Sequence, residues 1–428
     1  MSQKPLKSLK YNSEASITAD SLGRLAKARA LTKFIEVIDE PFVMSLEAPW
    51  GAGKTTFIQQ WKEMLEKSQH IPIYINAWQT DFANDPLAPL ANAFLEASTK
   101  LDIKDEFKPT SKAFGKAILL TLARAATDKV FNFDDKDVRE ALDTEAVKTL
   151  ELFKAQQSVY SALRQQLVKF AEGVKERFDG KAKIIVLLDE LDRCRPSYAV
   201  DMLERVKHIF DVEGFIFVLA IDRQQLNSSI RHTFGVETDT EEYLGRFIDF
   251  RTELSPPDPR VFFDVLNEKY KFYPSGVTLL AEMCDFVMNK IFKISLRTQA
   301  QLFLKMRMIG PWEGEMSELA MILTPFMVTL HHVDKRFFAH LIRERNMDKV
   351  ADYIENKGIG IEYRFDGRDM ASQLLQNLMY YAYGNRPESK VAMKFRDNNC
   401  NLNFTAPNSA NGLFEAIAKN LCELEALV

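Results

Sequence analysis

Ala48-Pro-Trp-Gly-Ala-Gly-Lys-Thr55 decides the reading of this chain. It follows Phe42-Val-Met-Ser-Leu46, an uncharged run that reads as a strand. It opens a stretch from Thr55 to about Lys67 with Phe57, Ile58, Trp61, Met64 and Leu65 at helical spacing. A strand, a glycine-rich turn and a helix N-terminus in that order make an anion cradle. Gly51 and Gly53 let the backbone curl so that its N–H groups face phosphate oxygens, and the helix adds its positive dipole end. The pattern predicts that Ala48, Pro49, Trp50, Gly51, Ala52, Gly53, Lys54, Thr55 and Thr56 wrap a nucleoside triphosphate. Lys54 would reach the terminal phosphates and the Thr55 hydroxyl would ligate magnesium. Ala48 stands where the motif usually has its first glycine.

A second element strengthens the first. Ile184-Ile-Val-Leu-Leu188 is an apolar strand that ends in Asp189-Glu190. Open α/β sheets bind ligands at the C-terminal ends of their strands. There Asp189 would hold Mg2+ and Glu190 would polarise the attacking water as a general base. Two acids that simply begin a helix are the plainer alternative. Asp222 ends another apolar strand, Phe215–Ile221, where it would sense the γ-phosphate; a helix cap for Arg223–His232 accounts for it equally well. Arg193, Arg246 and Arg297 are the arginines that could neutralise transition-state charge, with Arg297 expected in cis and Arg246 as a finger supplied to a neighbour. His331-His332 reads as structural, since adjacent helical positions face different ways.

Apolar strands alternate with helices through residues 13–100 and 181–256, which predicts an α/β fold with a parallel sheet sandwiched by helices. Residues 101–180 turn charged and helical, with Val159, Leu163, Leu167, Phe170 and Val174 as a seam, and read as an inserted helical segment. From Pro257 to residue 428 the period is almost entirely helical. This all-helical C-terminal region is expected to serve as lid and partner-binding region.

The bulk numbers exclude several classes. A chain of 428 residues exceeds one ordinary core. A net charge of -4 offers no general attraction to nucleic acid or an anionic membrane, so nucleic-acid binding stays open only through a local groove. The four cysteines form no CxxC pair, and Met1–Asp20 lacks an apolar leader, so a reducing, cytoplasmic setting is expected. The most apolar run, Ala117–Ala123, is far shorter than the roughly 20 residues of a span, so no membrane insertion is expected. No Asn-Lys-x-Asp motif reads guanine, which favours ATP.

Taken together these motifs resemble the KAP family of P-loop NTPases. The family's Trp-Gly-x-Gly-Lys-Ser/Thr Walker A loop matches Trp50–Thr55. Its Asp-Asp-Leu-Asp-Arg-Cys Walker B element matches Asp189–Cys194 with Glu190 in place of the second Asp. Asn76-Ala-Trp78, Asp20–Arg24 and Tyr243–Arg246 also resemble family segments, and the likeness spans about residues 15–310. Many members insert transmembrane helices between the two motifs, where this chain carries its charged helical segment. The resemblance implies an ATPase that acts on a protein partner or effector, as monomer or homo-oligomer, with antiphage defence as a setting. A nucleotide-gated scaffold with negligible turnover and a DNA-associated ATPase are the alternatives. The absence of an ABC-type Leu-Ser-Gly-Gly signature and of a basic stripe speaks against the latter.

Overall fold

A computed structural model describes residues 22–83, 85–101, 161–270, 278–309 and 318–344, short pieces between 349 and 374, and 410–426. These divide into two compact units, one holding Arg24–Pro256 and the other residues 257 onward.

The first unit is built on five parallel strands: β1 (Phe42–Glu47), β2 (Ile71–Asn76), β3 (Ile184–Asp189), β4 (Phe215–Ile221) and β5 (Phe250–Glu253). Their order is β2-β3-β4-β1-β5. β3 and β4 are buried at every residue, which explains their unbroken apolar runs: a central parallel strand meets helices on both faces. Side chains alternate between faces. Val186, Leu188, Phe215 and Phe217 join one core, and Ile185, Leu187, Ile216 and Val218 join the other. The helices Leu25–Glu36 and Lys54–Lys67 bury Leu31, Ile35, Phe57 and Trp61 in the second core.

The helix over 161–177 buries Leu163, Leu167, Phe170 and Val174 in the first core, with Phe170 against Phe215 at 6.5 Å. This end of the charged 101–180 segment therefore belongs to the sheet's own packing, because its apolar seam is the cover that β3 and β4 need. Residues 102–160 of the expected insertion, with Val159 and the run Ala117–Ala123, lie outside the described residues. Among the described residues no helix is long and apolar enough to cross a membrane.

Register sets the site. Asn76 pairs with Asp189, Asp189 with Ala220, and Glu47 with Ile221, so the C-terminal ends of four adjacent strands share one edge.

The second unit is helical, with Pro259–Tyr270, Thr278–Asp285, Leu296–Ile309, Glu318–Val333 and Lys335–Glu344 around one core of Met283, Phe286, Phe303, Leu323 and Phe326. A π-helical stretch, Phe286–Ile291, extends Thr278–Asp285. One detail corrects the all-helical expectation. Arg364–Phe365 and Arg368–Asp369 form a two-residue antiparallel ladder, a local hairpin too short to leave a period in the sequence. Pro325 sits inside Glu318–Val333, a helix otherwise held by its buried apolar face. His331 is buried there edge-on to Phe338 at 4.8 Å.

Candidate nucleotide site

The loop between β1 and the helix Lys54–Lys67 leaves the sheet at Ala48, whose N–H bonds the Ile221 carbonyl at 3.2 Å. Gly51 (φ 79) and Gly53 (φ 85) occupy left-handed conformations that side-chain-bearing residues rarely adopt, which is why glycine stands at both. Ala52 N–H closes the turn on the Pro49 carbonyl at 3.2 Å. Gly53 caps the helix by its backbone alone, leaving the first helical N–H groups to an outside acceptor.

Lys54 lies folded into this loop. Its ammonium donates to the Ala48 carbonyl at 2.6 Å and the Pro49 carbonyl at 3.4 Å. Burial lowers its pKa, while Asp192, Asp222 and Asp189 pull the other way. Three acids around one buried ammonium make Lys54 the charge hub of the strand edge.

Thr55 and Asp189 come together at the strand edge, where the threonine hydroxyl favours the ionised carboxylate. Tyr74 Oη donates to Asp189 Oδ2 at 3.2 Å, and the Glu190 N–H donates to Oδ1 at 2.9 Å. Asp189 is fully buried, and desolvation pushes its pKa up to about 6 in spite of those bonds. Glu190 turns off the strand in a left-handed conformation (φ 60), and its side chain points back to the sheet. There Asn76 Nδ2 donates to Oε2 at 3.0 Å, and Arg193 Nε lies 3.3 Å from Oε1. A glutamate in that backbone region is strained by about 1 kcal/mol or more, a cost commonly found where a functional side chain must be aimed.

The other expected residues divide. Asp222 is a helix cap whose Oδ1 accepts from the Gln224 and Gln225 N–H groups, and its Oδ2 accepts from Trp50 N–H at 2.8 Å. It thus anchors the loop to the end of β4. Arg193 stacks over the rings of Trp50 and Trp78 at 5.9 and 5.6 Å. Arg246 caps the helix Thr240–Gly245, exposed, with Glu242 Oε1 at 3.1 Å. Arg297 lies in the first turn of Leu296–Ile309 and belongs to the helical unit.

Four further residues, to which sequence spacing assigns no role, contribute here. Asp192 is buried on the single 3-10 turn Leu191–Arg193 and accepts from the Trp50 indole N–H. Burial raises its pKa and Lys54 opposes that rise. Tyr74 and Asn76 alternate along β2 onto the face that meets Asp189 and Glu190. Arg24 holds the loop at the Ala52 carbonyl. The signal for Asp192 was present in the Leu-Asp-Arg-Cys tetrad. The other three are joined to the site by strand register and tertiary hydrogen bonds, which spacing alone does not carry.

The raised Asp189 has a consequence for stability. Its ordinary value of 3.8 moves to about 6 on folding, so the folded protein holds the proton more tightly. The group's stabilising contribution is complete below about pH 4 and is lost as the pH rises through 6. Asp189→Asn cannot ionise. In thermal unfolding of the nucleotide-free protein it should match wild type below about pH 4 and exceed it by up to about 3 kcal/mol above pH 7. A gap that does not change with pH would contradict this.

Sheet order, loop and acidic strand end define a P-loop NTPase domain. The chain belongs to the KAP family: the model of the KAP family P-loop domain matches residues 26–309. The Phage T7 exclusion protein of Escherichia coli (strain K12) is 24% identical over 240 residues, which cover 53% of this chain and 31% of that protein. The chain thus spans about a third of the length of that curated relative. Among solved structures, the Aeropyrum pernix ORC2 protein in its ADPNP and ADP complexes aligns over 94% of this chain and 95% of that one, at 14% identity and a TM-score of 0.36. C. elegans PCH-2 aligns over 72% and 67% at 12% identity and a TM-score of 0.33.

Proposed function

We propose that this chain binds Mg-ATP and hydrolyses it, turning the reaction into a regulatory or motor-like change in a protein partner, with antiphage defence as its setting. The observation that carries this reading is the convergence at one strand edge of Lys54, the Thr55–Asp189 pair and Glu190 held by Asn76. Thr55 and Asp189 would hold the magnesium ion. One hydroxyl and one carboxylate suit an ion that keeps waters and takes its other oxygens from phosphate. Bound there, the ion would neutralise charge on the phosphates. Lys54 would leave the Ala48 carbonyl for the terminal phosphates, and Glu190 would take the proton of the attacking water. The defence setting is supported by the likeness to the phage exclusion protein.

Phosphate release by the purified protein tests the enzyme, and plating of phage on cells expressing wild type or Lys54→Ala tests the setting. No release above background, with or without cell extract, would refute hydrolysis. Equal plating on both strains would refute the defence role. One observation favours a nucleotide-gated scaffold instead: both Glu190 oxygens already face protein donors, Asn76 and Arg193. Tight binding without release would support that second reading.

The exposed guanidinium of Arg246, paired only weakly on its own helix, suits a finger offered to a second copy. Mixing Lys54→Ala with Arg246→Ala, each inactive alone, is expected to restore part of the activity. No recovery would leave a self-contained switch.

A further inference from the structure

The loop is fastened at the Ala52 carbonyl by a buried arginine. Arg24 is 5% exposed and ends the approach to the helix Leu25–Glu36, whose first bond runs from Ala28 N–H to the Arg24 carbonyl. Its guanidinium forks: Nη1 donates to the Ala52 carbonyl at 3.0 Å, and Nη2 donates to the Ser255 carbonyl at 2.8 Å. Burial lowers its pKa to about 10, so it stays charged at neutral pH. Ionised donors make the stronger hydrogen bonds, and a planar fork loses little freedom in making two.

We propose that Arg24 is a positioning residue of the phosphate loop, an inference that rests on the reading of Ala48–Thr55 as a phosphate cradle. A trans peptide is planar, with its C=O and N–H on opposite sides, and the described chain has no cis peptide. Arg24 fixes the Ala52 carbonyl, so the Gly53 N–H of the same peptide plane is turned away from Arg24. The Trp50 N–H is committed to Asp222 and the Ala52 N–H to Pro49. A phosphate must therefore be met by donors that include Gly53 and the first turn of the helix, and Arg24 orients the first of these. The second prong holds Ser255, directly before Pro256-Pro257, where the chain passes from the sheet unit to the helical unit. One guanidinium thus joins the cradle to the end of the sheet's last strand segment.

The test compares wild type, Arg24→Ala and Arg24→Lys by calorimetric titration with Mg-ATP and with magnesium triphosphate, alongside thermal unfolding. The alanine variant is expected to lose affinity for both ligands by the same factor, about ten-fold or more. The lysine variant should lose less, since an ammonium can serve one carbonyl but not fork to two. A merely structural arginine would lower the unfolding midpoint and leave both affinities of the folded protein unchanged; that result overturns the proposal. A loss confined to ATP, with triphosphate binding intact, also overturns it, because Arg24 would then act on the nucleoside. If the alanine variant does not fold, the lysine variant decides by the same criterion. Wild type that binds neither ligand would instead refute the phosphate cradle itself.

Discussion

Glu190→Gln is expected to bind Mg-ATP within a few-fold of wild type and to release phosphate roughly 100- to 10,000-fold more slowly. The substitution keeps the length of the side chain and removes its charge. Asp189 and Thr55 stay side by side, so the groups that would organise the ion are intact. Lys54 and the loop carbonyls it bonds are also untouched. What is lost is the carboxylate held between Asn76 Nδ2 and Arg193 Nε. Arg193 would then face an amide and lose its ion pair, while its stacking on Trp50 and Trp78 persists. Single-turnover phosphate release and equilibrium binding, measured on the same preparation, separate the two effects. Near-normal turnover would place the base elsewhere on the strand edge, with Asp192 the next acid to test.

Lys54→Ala is expected to weaken Mg-ATP binding by about a hundredfold or more while the protein stays folded. A buried ammonium facing phosphate makes charge-assisted hydrogen bonds at low local dielectric, among the strongest polar contacts a protein offers. Lys54 is buried against the loop carbonyls rather than built into the apolar side chains of the sheet, so its loss removes a polar contact of the loop. It does leave Asp192, Asp222 and Asp189 without their shared counter-charge. Asp192, already raised by burial, should then rise further, since Lys54 is the largest of the influences that hold it down. An unchanged circular-dichroism spectrum with titration heats at the level of dilution is the expected pair of results. Wild-type-like affinity would remove the role assigned to the lysine.

Much of this is legible in the sequence because the phosphate loop is local. Eight consecutive residues fix its two left-handed glycines, its lysine and its helix start, and the strands flanking it are continuous apolar runs. Asp189 and Glu190 are legible for the same reason: an apolar run of strand length ending in two acids puts carboxylates at the ligand-binding edge of a parallel sheet. Asp222 shows where locality ends. Its cap on Gln224 and Gln225 follows from sequence, but its bond to Trp50 N–H spans β4 to the loop and depends on strand order. Asn76 and Tyr74 reach the acids only because β2 pairs in register with β3. The helix over 161–177 reads as part of an insertion because its charged face dominates the composition. Its seam of Leu163, Leu167, Phe170 and Val174 reveals its place only once the uncovered face of β3 and β4 is known. The hairpin at Arg364–Asp369 leaves no signal, since two residues a side are below any periodicity.

Ala48–Thr55 and Asp189–Glu190 are proposed to form one magnesium-nucleotide site. The most direct test is calorimetric titration of the wild-type protein with ATP, with magnesium present and again with magnesium chelated. Saturable binding near one nucleotide per chain, clearly weakened by chelation and lost in Lys54→Ala, is the predicted result. No saturable heat at millimolar ATP, or binding indifferent both to magnesium and to Lys54, would contradict it.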